Sequence, residues 1–544
     1  MLQRLRRVGS FLVGTALLLS ACSGGGAKPS PSPGTSAPAA PATSAPAPKP
    51  ISNLVIATVR DPDTLDTQRT TWVDIANNIA YEPLVSRDEN GKIVPNLAES
   101  WEISPDGKVW TFKLRKGVKF HSGAPFNAEA VKATYERMLA KETASPVAYM
   151  LGPLTSIDVV DEYTAKLTFS EPYAPFWAPL TGAYLAPYDP AVLAKEGLNF
   201  GEKPSAAGPY QFKERTRGSS LTYVKNPNYT TIMPYVKNQG AAKFDSITVR
   251  IIPDEQTRVL ELEKGNIHIV TSLPPQEVKR LESSKDISII RQPENGIWYL
   301  GFNNKKAPFT DKAVRTAISM AIDRRPMVEV AMEGLAQPIH GPLPTTIPGY
   351  SDAIDKLARE TYPYDVNKAK QVLADAGYKP GADGMLAKDG KPLGASLWIT
   401  NEPVQQRLAQ MVQSQLKQIG FNVKIEVLED AAIRAGTPEG KHEMILWTYG
   451  WTDPDILFFL YYTGRSTRVH FSTPELDKML MAGRTTVDEA ERMKVYEEAQ
   501  KYLVEQQPWV PLFVRQNAFG IRKEIKDARV HKILGGLILQ DLGW

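Results

Sequence analysis

"FDSITVRIIPDEQTRVLELEKGNIHIV", residues 244–270, changes its hydrophobic period twice in one line. Ile247 to Ile252 is a β-branched run that reads as a strand. Asp254 then starts a helix carrying apolar Val259, Leu260 and Leu262, Gly265 stands just past its end, and a second short strand follows. The order returns in "SLWITNEPVQQRLAQMVQSQLKQIGFNVKIEVL", residues 396–428. There Leu397 to Thr400 is extended, Leu408, Met411, Val412 and Leu416 share one helical face, Gly420 ends the helix, and Val423, Ile425 and Val427 alternate. Strand, helix, strand in two separate places predicts two parallel sheets, hence an α/β chain of two lobes.

The stretch between Trp101 and Ser170 has a different texture. "KVWTFKLRKGVKF" and "EYTAKLTFS" alternate like half-exposed antiparallel strands, with a helical piece at 128–139 between them. A smaller α+β domain inserted into the first lobe accounts for this. "FTDKAVRTAISMAIDRRPMVEVAMEG" predicts two helices: Thr310 as cap, a buried stripe of Ala313, Val314, Ala317, Ile318, Ala321 and Ile322, then Pro326 opening a second helix that Gly334 ends.

The first residues are an address. Arg4, Arg6 and Arg7 precede an apolar run from Val8 to Ala21; at under about 20 residues it is short for a membrane span. It ends in Leu19-Ser20-Ala21-Cys22, which looks like a lipobox, and Cys22 is the one cysteine of the chain. Residues 23–50 are nearly all Ser, Gly, Pro, Ala and Thr, a tether without side chains large enough to offset ordering entropy. Of the formal charge of +4, three units belong to Arg4, Arg6 and Arg7 and two to Lys28 and Lys49, which leaves the body near −1. No basic field for nucleic acid remains.

The usual enzymatic constellations are absent: no G-x-S-x-G elbow, no P-loop, no H-E-x-x-H and no EF-hand loop. The six histidines (121, 268, 340, 442, 470 and 531) include no pair at i, i+4, so no metal site and no cofactor is expected. His121 and His470 read as hydrogen-bonded structural residues. "WTYGWTDPDILFFLYYTG", residues 447–464, concentrates aromatic residues around Asp453 and Asp455. Read alone, it suits a core strand, a platform for a sugar ring, a metal site or the wall of a pocket for a charged solute.

"LAESWEISPDGKVWTFKLRKGVKFHSGAPFNAEAVKATYERM", residues 97–138, resembles a signature of the periplasmic solute-binding proteins of family 5, which serve dipeptide, oligopeptide and nickel ABC importers. The resemblance continues in order through "AAGPYQFKE" with "VKNPNY", "DEQTRVLELEKGNIHI", "YLGFNNKKAPFTDKAVRTAISMAID", "YDVNKAKQVLADAGY", "LKQIGFNVKI" and "YEEAQKYLVEQQPWVPLF", to Phe513. It implies a bilobal periplasmic-binding-protein-like α/β fold with two crossovers. Residues 51–96, 204–296 and 514–544 are then the sheet domain of lobe 1, 97–203 its inserted domain and 297–513 lobe 2, after a signal peptide (1–21) and a tether (22–50). The resemblance also implies a monomer, lipid-anchored through Cys22 outside the cytoplasm, that encloses a small solute between its lobes and hands it to permease subunits in the membrane.

By the same resemblance Trp447, Tyr449, Trp451, Asp453 and Asp455 face the cleft, Trp298 reaches it from the first crossover, and Phe458 to Tyr462 are core or helix face. Arg407 matches a position where dipeptide binders carry arginine, and a guanidinium fork suits a carboxylate. Asn401, just before that helix, completes the expected set. The chain departs from peptide binders in running Trp451-Thr452-Asp453-Pro454 directly, without the residues that carry the aspartate for a ligand amino group; Asp453 or Asp455 is the expected replacement. A peptide or peptide-like solute is the first expectation and an oligosaccharide, opine or nickel chelate the second. A tethered hydrolase using Asp453 and Asp455 stands as the competing class.

Overall fold

Alternation from Ser246 to Ile251 puts Ile247, Val249 and Ile251 on one buried face, and Asp254 caps the following helix, Glu255–Glu263, by accepting from the Thr257 amide at 2.8 Å. Gly265, at φ +78°, makes the left-handed turn out of that helix into strand Ile269–Val270. The computed structural model describes residues 51–230, 233–381 and 384–544. In it, both strands lie parallel to the first strand of the body, Asn53–Thr58, which runs between them with Leu54 opposite Ile247 and Ile56 opposite Ile269. The signal-peptide, lipobox and tether readings fall on residues 1–50, outside the described residues.

The second unit has the same build. Strand Gly394–Ile399 leads to helix Pro403–Lys417, Gly420 turns at φ +74°, and strand Asn422–Val427 returns parallel, with Leu397 opposite Ile425. Strand Met444–Thr448 flanks the other side, also parallel. Leu408, Val412 and Leu416 are fully buried against this sheet; each contributes about 1.5–3 kcal/mol of apolar burial.

One strand, Trp509–Arg522, serves both sheets. Its first part pairs antiparallel with Trp298–Phe302 and its second part, from Gln516, with Ile287–Pro293. The two halves are therefore connected near residues 294–297 and again where this strand passes from Phe513 to Gln516. The result is a bilobal α/β fold with a separate core on each side.

The antiparallel reading of 101–170 corresponds to a four-stranded sheet. Val109–Leu114 pairs with Ala98–Ile103 and with Thr164–Phe169, and Leu154–Asp161 closes the edge. Helix Ala128–Leu139, capped by Asn127, covers it, and Trp110, Phe112, Tyr135 and Leu167 fill the space between. In the helix pair two details differ from expectation. Asp311, not Thr310, caps helix Lys312–Ala321, because its carboxylate reaches the Ala313 amide at 2.9 Å, so the helix begins one residue later. The segment after Pro326 is a single π-turn, Met327–Ala331, ended at Gly334 with φ +80°.

Candidate ligand pocket

Strand Met444–Thr448 divides its side chains between two cores. Met444 and Leu446 enter the core under helix Pro403–Lys417, while Ile445 and Trp447, with Tyr449 just past the strand's end, join the core on the opposite face. On that face Trp447, Tyr449, Trp451 and Phe459, with Arg434, Arg465 and Arg468, line a cavity of about 530 Å³. Helix Asp430–Gly436 supplies Arg434, helix Ile456–Tyr461 supplies Phe459, and the loop after that helix supplies the other two arginines.

The cavity lies beside the first connection between the halves. The Trp451 amide donates to the Asn295 carbonyl at 2.8 Å, and a Cβ on Gly296 would collide with the Tyr449 carbonyl, so only glycine lets the two segments approach. Trp451 is half-buried, its ring 5.1 Å from that of Phe459. The guanidinium carbons of Arg434 and Arg468 stand 5.5 and 5.4 Å from the Trp447 ring centre, within cation–π range. A planar or apolar body can rest on the rings while the guanidinium groups take anionic ends.

Trp447, Tyr449 and Trp451 thus come together on one wall. Asp453 does not join them. It is 1% exposed, and its two oxygens accept from Nη1 and Nη2 of Arg492 at 2.8 and 2.5 Å. Arg492 is itself buried and also donates from Nε to the Gly483 carbonyl. Asp455 is buried too, 3.4 Å from Arg484 and accepting from the Tyr496 hydroxyl. Burial outweighs the arginine beside it and pushes its carboxyl up to about 7. Both carboxylates are committed inside the lobe, so neither replaces the amino-group anchor on the cavity wall, and the hydrolase reading loses its pair.

Trp298 is a second correction. Side chains two apart on a strand share a face, so Trp298 goes with Leu300 and Phe302 into the core, stacked 5.9 Å from Phe513. Tyr299 takes the cavity-side core in its place, 6.4 Å from Tyr449. Asn401 and Arg407 are exposed and do not line the cavity: Asn401 accepts from Gln406, and Arg407 donates to the Ala331 carbonyl at 3.2 Å. Among Phe458 to Tyr462, Phe458 and Tyr461 are buried in the core, and Phe459 and the buried Leu460 line the cavity.

His121 and His470 have backbone partners, His121 at the Gly208 carbonyl and the Ala206 amide, and His470 at the Thr437 carbonyl. Among the described residues no group of three His, Cys, Asp or Glu side chains could hold a metal ion, and no helix is long and apolar enough to cross a membrane. The three arginines escaped sequence reading; Arg465 and Arg468 had a local signal in "GRSTR", shortly after the aromatic helix, and Arg434, on helix Asp430–Gly436, had none.

Residues 92–471 match the model of the bacterial extracellular solute-binding proteins, family 5. Over 500 residues the chain is 30% identical to the probable D,D-dipeptide-binding periplasmic protein DdpA of Escherichia coli (strain K12), covering 88% of this chain and 91% of that one. HbpA2 from Haemophilus parasuis superimposes with a TM-score of 0.79 at 23% identity, over 90% of this chain and 99% of that one. The periplasmic binding protein DppA from Helicobacter pylori, in complex with the peptide STSA, superimposes with a TM-score of 0.67 at 28% identity, over 90% and 98%. Its sequence and its fold together make this chain a member of the bacterial extracellular solute-binding proteins of family 5.

Proposed function

We propose that this protein is the receptor of an ABC importer, capturing a peptide or peptide-like solute outside the cytoplasm and delivering it to membrane permease subunits. The observation that carries the reading is the cavity of about 530 Å³, walled by Trp447, Tyr449 and Trp451 beside the connection between the lobes. A site at such a junction changes shape when the lobes close, which lets a permease distinguish loaded from empty receptor. The E. coli and H. pylori relatives, named for a D,D-dipeptide and solved with a peptide, support the solute class. In this reading 51–96, 204–296 and 514–544, with the insertion 97–203, close as one lobe on 297–513, and the monomer hangs from Cys22 by its tether. Asp453 and Asp455, each held by an arginine, are unsuited to catalysis. The solute leaves unchanged.

Isothermal titration calorimetry on solute-stripped protein tests this. Saturable 1:1 heat with a member of a panel of di-, tri- and pentapeptides, opines, oligosaccharides and nickel–histidine is expected. Absence of heat across all classes contradicts a receptor role.

A further inference from the structure

The cavity wall carries three guanidinium groups, and no aspartate or glutamate is among the described residues that line it. Arg434 is partly neutralised by Asp430, four residues earlier on its helix, with Nε 2.5 Å from the carboxylate. Arg465 and Arg468 form no ion pair among the described residues. Asp453 and Asp455, the carboxylates of the same sequence segment, are turned inward to Arg492 and Arg484.

The loop that bears these arginines is fixed before any solute arrives. Neutral His442, its pKa pushed down to about 4 by burial, donates from Nε2 to the Arg468 carbonyl at 2.8 Å. Asn304 donates from Nδ2 to the Val469 carbonyl at 2.7 Å, and His470, in the left-handed region at φ +47°, bonds the Thr437 carbonyl at 2.8 Å. The Ser466 hydroxyl accepts from the Phe471 amide at 3.0 Å. Two cations on a preorganised loop, Arg465 and Arg468, without counter-ions among the described residues and lining an aromatic cavity, are the pattern of an anion site.

Building on the receptor reading, we infer that the solute carries at least two negative charges, taken by Arg465 and Arg468, with Arg434 as a third contact, while its body lies on Trp447 and Trp451. A free α-amino group is not what this wall recognises. Carboxylates and phosphate esters share the required chemistry.

The test is calorimetry on the full chain, purified in detergent and stripped of solute, with citrate, N-acetyl-aspartyl-glutamate, glucose 6-phosphate, alanyl-alanine and maltotriose as probes. A multiply charged anion is expected to bind best, with a dissociation constant that rises steeply with salt. Preference between the two carboxylates and glucose 6-phosphate identifies the anionic group. Arg468→Gln and Arg465→Gln are each expected to weaken binding by about tenfold or more. Arg465 is exposed and forms no ion pair among the described residues, so Arg465→Gln should fold normally, with an unchanged melting temperature in the absence of solute; Arg465→Lys should restore part of the loss. Tighter binding of alanyl-alanine or maltotriose than of any anion, or no effect of either glutamine variant, overturns the inference and leaves the receptor reading standing. No binding of any probe overturns the inference, and silence that extends to the wider panel of peptides, opines, oligosaccharides and nickel–histidine overturns the receptor reading as well.

Discussion

The carboxylate of Asp453 and the guanidinium of Arg492 form a two-bond pair, at 2.8 and 2.5 Å, in which neither side chain is more than 2% exposed. The pair joins the turn after Trp451 to helix Glu489–Gln506, and so fixes the floor behind the aromatic wall. Removing one partner leaves the other charge buried alone. Asp453→Ala and Arg492→Ala should each cost about 3–5 kcal/mol, read as a lower denaturation midpoint. If Asp453 instead held the solute, Asp453→Asn would abolish binding with little loss of stability.

Trp451 is the half-buried ring of the wall, and truncating a central aromatic contact removes on the order of 2 kcal/mol. Trp451→Ala should therefore weaken solute binding about 30-fold in calorimetry. Trp298→Ala, in the core against Phe513, should instead lower the melting temperature.

Glu82 is buried, its side-chain partners among the described residues being Asn96 Nδ2 and the Tyr229 hydroxyl, and desolvation raises its carboxyl to about 7. Its folded value exceeds the unfolded one, 4.5, so its contribution is fully present below pH 4.5 and is lost as pH rises through about 7. The difference in unfolding free energy between Glu82→Gln and the parent should grow in favour of the variant over that window, by on the order of 3 kcal/mol, and level off above it. Buried His121 and His442, both lowered to about 4, act with opposite sign: their contribution is lost as pH falls below 6.5. They are common to both proteins and cancel in the difference. A flat difference across pH 4.5–8 would show Glu82 ionised in the fold.

Cys22 is the proposed lipid acceptor. Cys22→Ser should move the protein from the membrane to the soluble fraction and abolish incorporation of labelled fatty acid, leaving solute affinity unchanged. Retention of both membrane association and label in the variant contradicts the anchor.

Period and punctuation made the two parallel units legible, since a β-branched strand, a capped helix and a turning glycine such as Gly265 or Gly420 are local signals. The aromatic wall was not legible from period alone: the resemblance put Trp447 and Tyr449 at the cleft, and the fold sets both in the core on one side of strand Met444–Thr448. The acidic residues were not legible either. Whether Asp453 faces solute or core depends on an arginine 39 residues away, and nothing in the local pattern marks that pairing. The resemblance sets Trp298 at the cleft, whereas its parity with Leu300 and Phe302, two and four residues on, puts it in the core. The arginines come from a helix and a loop that converge only in the folded lobe.

The most direct test of the receptor account is native mass spectrometry of the protein purified from its own host, before and after prolonged incubation. A single small solute bound at one copy per chain, released on denaturation with its mass unchanged, is the predicted result. A chain that is always empty and takes up no member of the solute panel, or one that returns the solute as cleavage products, would contradict it.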